Sequence, residues 1–359
     1  MRTTMKALKI EGKKRLSVVE VPIPEADGEK VIIKVKTSGI CGSDIHIWEK
    51  GKPEGLIPGH EFGGTVVDSG SRDDLNPGDR VTVIPLNPCG ECSWCRNSGY
   101  HTCKYSLKRG IPGVTAPGSY AEYFSARPDM VRKLPDTVSD VEAAVVEPAT
   151  VALHAVNLAN IKAGDKVLIV GGGVIGLLCA VWARIYGASF LGMSETNESR
   201  GAKALAFGDI HAMFNAKDPE LTSTLKKTAK GLFDKAIDCS GSAGGINAAI
   251  DVLNHQGTLL LVGISYAPIP VMTLPVCRKE MRLIGDMGYS IPEFEHTMEM
   301  MSRGMIDTKR FVDDKIDLDE VQGAFERLSS GNAPEVKILI EPHRGYFPLE
   351  SAHNVPSEA

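Results

Sequence analysis

Val167-Leu168-Ile169-Val170-Gly171-Gly172-Gly173-Val174-Ile175-Gly176 is the stretch on which the fold turns. Four aliphatic residues, enough for a buried strand, run into a G-x-G-x-x-G cluster, and an apolar helical pattern, Leu177–Tyr186, follows. A bare G-x-G-x-x-G means little. Between a strand and a helix it has a physical purpose: the glycines allow a sharp turn and a close approach of phosphate to backbone, and the helix N-terminus offers unpaired N–H groups. The expected dinucleotide contacts are Gly171, Gly173, Val174, Ile175 and Gly176. Nineteen residues beyond Gly176, Glu195 closes a second strand that starts at Phe190, where a carboxylate accepts ribose hydroxyls. That charge repels a 2′-phosphate and favours NAD; Ser194, Asn197 and Arg200 could cradle such a phosphate, so NADP stays open.

Outward from this point, strand and helix patterns alternate through Lys235–Cys239, Gly244–Leu253, Thr258–Val262 and Arg282–Ile284, which predicts a doubly wound parallel sheet over 150–288. Residues 1–149 differ. Lys6–Ile10, Leu16–Val21, Val31–Thr37, Gly63–Asp68 and Arg80–Ile84 are short β-type runs separated by Gly, Pro and Asp, the pattern of a barrel or sandwich. Asp140–Ala159 is alanine-rich and helical in spacing, with an expected interruption at Glu147-Pro148. After 288 come two amphipathic helices, one with Phe294, Met298 and Met301 on its core face and one capped by Asp317 and Glu320, then a closing strand, Lys337–Ile340. Residues 343–359 read as a loose tail.

The chain has 359 residues, 43% hydrophobic and 24% charged, with a formal net charge of −5. This composition excludes disordered and fibrous classes, and the charge argues against nucleic acid and anionic membrane as partners. Apolar runs fall far short of a membrane span, and the first residues carry no secretory pattern, so a cytoplasmic location is expected.

Four of the eight cysteines crowd together as Cys89-x2-Cys92-x2-Cys95-x7-Cys103, within a lobe over 88–104. Four thiolates close a tetrahedral Zn²⁺ shell and leave no position for substrate, so this metal is structural. A second set, Cys41, His60, Glu61 and Glu147, mixes soft and hard ligands beside glycines at strand ends. Taken singly, each has an ordinary reading as a buried thiol, a packed histidine or a helix-end carboxylate. Together with a dinucleotide loop they suggest a catalytic metal with a place for water or substrate.

These residues resemble the zinc-dependent medium-chain dehydrogenases. The resemblance rests on Gly39-Ile40-Cys41-Gly42-Ser43-Asp44, Gly59-His60-Glu61, the four-cysteine lobe, Val170–Gly176 and Asp238-Cys239-Ser240-Gly241. It implies an α/β protein: a GroES-like catalytic domain over 1–149, a Rossmann domain over 150–288, and a return to the catalytic domain over 289–342. It adds Arg200, Cys239, Val262 and Gly263 to the cofactor contacts. It also implies two Zn²⁺ per chain and a homo-oligomer, dimer or tetramer. Glu147-Pro148 at the seam resembles the polyol and butanediol dehydrogenases, and threonine dehydrogenases tend to carry Asp-Pro there. Whether Glu61 or Glu147 touches the metal stays open.

The reaction so implied is reversible oxidation of a secondary alcohol, such as a polyol, sugar alcohol or diol, to a ketone, with the metal as Lewis acid and hydride passing to the nicotinamide. Ser43 and His46 are the expected proton relay. Trp48 reads equally as pocket lining or core. Alternatives are a threonine-type or NADP-linked enzyme, and a non-catalytic nucleotide-binding redox sensor on the same scaffold.

Overall fold

The computed structural model describes residues 2–97 and 99–344. Most of the expected tail over 343–359, from 345 onward, lies outside the described residues. Lys166–Val170 is a strand near the middle of a six-stranded sheet. Its side chains alternate: Val167 and Ile169 enter one core with Leu177, Trp182 and Met193, while Leu168 and Val170 enter another with Leu225, Phe233 and Ile250. A strand buried on both faces must be aliphatic at every position, and this one is.

All six strands are parallel, in the spatial order 212–215, 190–195, 166–170, 233–238, 253–261, 282–285. Counted along the chain this is 3-2-1-4-5-6, and the order reverses between Lys166–Val170 and Phe233–Asp238, where a crevice opens for a ligand. The helix Val174–Ile185 starts at that crevice with Gly173 as its N-cap and no side chain closing its first turn. Gly176 lets it lie close to the strand: a Cβ there would fall 1.9 Å from the Gly171 carbonyl oxygen.

The rest of the chain builds a second β system. Thr4–Gly12 and Arg15–Pro22 form an antiparallel ribbon. Val31–Gly39, Glu61–Asp68, Arg80–Val83, Tyr123–Ala126 and Val131–Lys133 join a seven-stranded sheet. Its last two strands come from the far end of the chain: Lys337–Ile340 pairs antiparallel with Val31–Gly39, and Val312–Ile316 runs parallel beside it.

One expectation moves. The break in Asp140–Ala159 falls at Ala144-Val145, between helices Asp140–Ala143 and Val146–Ala159, rather than at Glu147-Pro148. Pro148 lies in the first turn, where a missing N–H costs nothing because no carbonyl precedes it in the helix. Glu147 is thereby fixed at a helix start. Phe294, Met298 and Met301 are buried, so the methionine face of Ile291–Ser302 is core packing.

Candidate metal centre and cofactor crevice

Strand register assembles the mixed ligand set. Val31–Gly39 and Glu61–Asp68 are antiparallel with Gly39 opposite Glu61, which brings the residues just after one strand beside those just before the other. Cys41 caps helix Gly42–Lys50 and His60 precedes Glu61. One ligand atom each from Cys41, His60 and Glu61 lies within 4.8 Å of the other two. Only glycine fits at 39, since a Cβ would overlap the Glu61 carboxylate and the Lys337 side chain.

The surroundings suit a cation. Asp44, fully buried, faces His60 Nδ1 through Oδ1 at 3.5 Å, and neither atom has a hydrogen-bond partner of normal length. A carboxylate behind the imidazole leaves the other ring nitrogen for a metal and raises its basicity. Asp44 Oδ2 accepts the Tyr120 hydroxyl at 2.7 Å and the Cys41 N–H at 3.1 Å. Burial works against its charge, but His60, Tyr120 and Cys41 outweigh that and hold it below the usual carboxylate range. Glu61 pairs with the ammonium of Lys337, which is buried and also donates to the Ile40 carbonyl at 2.9 Å.

Glu147 stands beside this group and is not one of its three mutually close ligands. Burial lifts its carboxyl to about 7; Glu61 pushes the same way, against the pull of His60 and Lys337. Such a group can hold or yield a proton near neutrality. The Tyr289 hydroxyl, also buried, adjoins it.

The four-cysteine lobe closes on itself. Cys92 and Cys95 sulfurs are 3.5 Å apart, Cys89 and Cys95 3.8 Å, and Cys92 and Cys103 4.0 Å, with all four atoms mutually within 4.8 Å. A tetrahedron with Zn–S bonds of about 2.3 Å has edges of about 3.8 Å, so the spacing fits. None of the four is in a disulfide. N–H groups of Cys89 and Cys92 point at Cys103 and Cys89 sulfurs at 3.3 Å, as thiolate acceptors require.

At the crevice, Gly171 takes φ +101°, a conformation that favours glycine, and abuts the backbone of Cys239 and Ser240. Glu195 ends strand Phe190–Glu195 and accepts the Gly172 N–H at 2.6 Å, so its carboxylate lies against the glycine turn. Val262 and Gly263 are held by the Asp238 carbonyl at 2.8 and 2.9 Å, at the rim of the same crevice. The contact with Cys179, together with burial, pushes the Cys239 thiol well up, so it stays protonated. Val174 and Ile175 form the open first turn. Arg200 Nε donates to the Glu335 carbonyl at 3.1 Å, and Asn197 Nδ2 to that of Ala333 at 3.2 Å.

Ser43 donates to Cys41 Sγ at 3.2 Å, and His46, one turn on, is partly exposed and 3.6 Å from Glu49. Trp48 resolves to core: it is 1% exposed, edge-on to Phe325. Sequence reasoning quoted Asp44 without giving it a role and missed Lys337, Tyr120 and Tyr289. It also missed a buried cluster at the seam. His154 Nδ1 meets Glu293 at 2.8 Å and its Nε2 lies 3.7 Å from Asp286, while His101 of the lobe packs edge-on against it. Burial lifts Asp286 to about 7; burial also opposes the Glu293 charge, but His154 and the Ser290 N–H hold it at about 2.

This constellation of mixed-ligand centre, thiolate lobe and dinucleotide crevice defines a metal- and nicotinamide-dependent dehydrogenase. The family models agree: residues 27–136 match the alcohol dehydrogenase GroES-like domain, and 174–303 match the zinc-binding dehydrogenase domain. The chain is 34% identical to an L-threonine 3-dehydrogenase of Chelativorans, over 94% of this chain and 99% of that one. It is 29% identical to a sorbitol dehydrogenase of Bombyx mori, over 92% and 97%. A zinc-binding dehydrogenase of Sinorhizobium meliloti, solved with NADP, superposes with a TM-score of 0.86 at 29% identity, over 95% of this chain and all of that one. The chain belongs to the zinc-dependent medium-chain dehydrogenases and is an alcohol oxidoreductase linked to a nicotinamide dinucleotide. Among the described residues no helix is long and apolar enough to cross a membrane.

Proposed function

We propose that this chain reversibly oxidises a secondary alcohol of the polyol, sugar-alcohol or diol class to a ketone, with NAD as acceptor. The observation that carries the reading is the convergence of Cys41, His60 and Glu61 within 4.8 Å, backed by a buried Asp44. A bound Zn²⁺ supplies Lewis acidity to the substrate oxygen. The protein's own residues do the rest. Ser43, whose hydroxyl now donates to Cys41 Sγ, would accept the substrate's hydroxyl proton as it gives up its own to the relay, and His46, partly exposed one turn on, would carry that proton to solvent. Glu147, lifted to about 7 by burial, can take up or yield a proton beside the centre, and Lys337 neutralises Glu61. Gly171 to Gly176 bind the diphosphate through backbone N–H groups, and Glu195 orients the adenosine ribose.

NAD is favoured over NADP by the Glu195 carboxylate, whose charge repels a 2′-phosphate. Glu147 in place of the Asp of threonine dehydrogenases favours the polyol reading over the threonine one. The sensor reading leaves the centre without a purpose.

We assign a catalytic domain to 1–149 and 289–342 and a Rossmann domain to 150–288; in support, the six parallel strands fall within 150–288, and Val312–Ile316 and Lys337–Ile340 join the seven-stranded sheet. The protein works in the cytoplasm as a homo-oligomer, a dimer or tetramer. Arg282–Gly285 is an outer strand of the parallel sheet with Leu283 and Met287 exposed beside it, a surface suited to a two-fold contact. A panel of polyols, sugar alcohols, diols and L-threonine, read by NADH and NADPH absorbance with zinc loaded, tests the function. Turnover of a polyol or diol with NAD supports it; turnover of threonine alone, or silence throughout, overturns it.

A further inference from the structure

Tyr266 lies on the loop after strand Leu253–Leu261, on the cofactor side of the crevice, and is 58% exposed. A large ring in that position would ordinarily move freely. Here two side chains of helix Gly42–Lys50 hold it from the opposite side. The His46 ring meets it edge-on at 5.4 Å, and the Lys50 ammonium sits over its face, 2.9 Å from the centroid. Behind this contact is a cavity of about 440 Å³ whose lining includes His46, Lys50, Ser240, Gly241, Ile264 and Tyr266. Gly171 touches the Cys239–Ser240 backbone, so one wall of the cavity adjoins the glycine turn. The other wall is the helix that begins at Cys41. On the proposed function, a dinucleotide held at the glycine turn would extend along this cavity, between that turn and the helix that follows Cys41.

We propose that Tyr266 is a positioning residue for the bound dinucleotide: clasped by His46 and Lys50 across the crevice, it latches the 262–272 loop over the cofactor and slows its release. The inference rests on the proposed dinucleotide function and adds a residue that sets its residence time. Exposed ring–cation and ring–ring contacts are weak, which suits a latch that opens in each catalytic cycle. Both contacts use the ring and not the hydroxyl.

The test is NADH release from the zinc-loaded full-length chain, followed by stopped-flow fluorescence while excess NAD displaces it. Tyr266→Ala is expected to speed release about five- to tenfold, Lys50→Met about two- to threefold, and Tyr266→Phe to stay within about twofold of the parent. KM for the dinucleotide should rise in Tyr266→Ala while kcat holds or increases. The latch is overturned if Tyr266→Ala releases NADH at the parental rate, if Tyr266→Phe is as fast as Tyr266→Ala, or if kcat falls with KM unchanged. If the parent chain binds no dinucleotide, the proposed function falls and the latch with it; normal binding with unaltered release removes the latch alone.

Discussion

The two candidate zinc positions are made in opposite ways. The lobe draws Cys89, Cys92, Cys95 and Cys103 from one short loop, all of one chemistry, packed on one another. The mixed centre draws Cys41, His60 and Glu61 from two segments and adds Asp44, Tyr120 and Lys337 around them, so it depends on strand register and on distant chain. Four equivalent ligands exhaust a tetrahedral metal and can only hold the loop together. Three unlike ligands with a carboxylate behind the histidine leave a position and tune it. A closed site costs the sequence four cysteines, whereas a reactive one takes a whole sheet.

The sharpest way to break this contrast is His60→Ala. Turnover should fall roughly a thousandfold or more, and metal analysis should drop from about two zinc per chain to about one, with NADH binding retained. Equal loss from the lobe would show that the two positions are not independent. In the zinc-free protein Lys337→Met leaves Glu61 charged and buried without a partner, and should lower unfolding stability by about 3–5 kcal/mol in denaturant melts; an unchanged midpoint would remove the Lys337–Glu61 pair from the stability account. Asp44→Asn keeps the shape and removes the charge behind His60, so zinc affinity or activity should weaken about 10- to 100-fold, measured by competition with a chelator. The smallest effect belongs to the seam. Glu293 is held at about 2 against an ordinary 4.5, so its contribution to stability is present above pH 4.5 and is lost as pH falls from there toward 2. Glu293→Gln should flatten that acid limb in thermal melts, and an identical pH profile would remove the Glu293–His154 pair from the account.

The same contrast explains what the sequence made legible. Glycine spacing between a strand and a helix, and cysteine spacing within a loop, are local signals, and both were readable. Cys41, His60 and Glu61 were readable as residue types in glycine-rich company, but their meeting needed the register that sets Gly39 opposite Glu61. Lys337 gave no signal: a lysine in an aliphatic strand looks like a solvent-facing alternation until the sheet buries it. Asp44 sat in a quoted motif, and only the turn of helix Gly42–Lys50 aims it at both the Cys41 N–H and the His60 ring. The misplaced break near Glu147-Pro148 came from reading proline as a helix interruption where it is a helix start.

Lys337 reaches Glu61 across 276 positions of chain. During synthesis Glu61 emerges long before its counter-charge, with most of the parallel sheet encoded between them. The β system around the ligands therefore cannot settle as a finished unit while translation proceeds, although the parallel-sheet portion, encoded between its two halves, is complete sooner. Maturation of the centre waits for strand Lys337–Ile340, and a truncation just before it would leave the ligand-bearing sheet without its closing strand and Glu61 without its counter-charge.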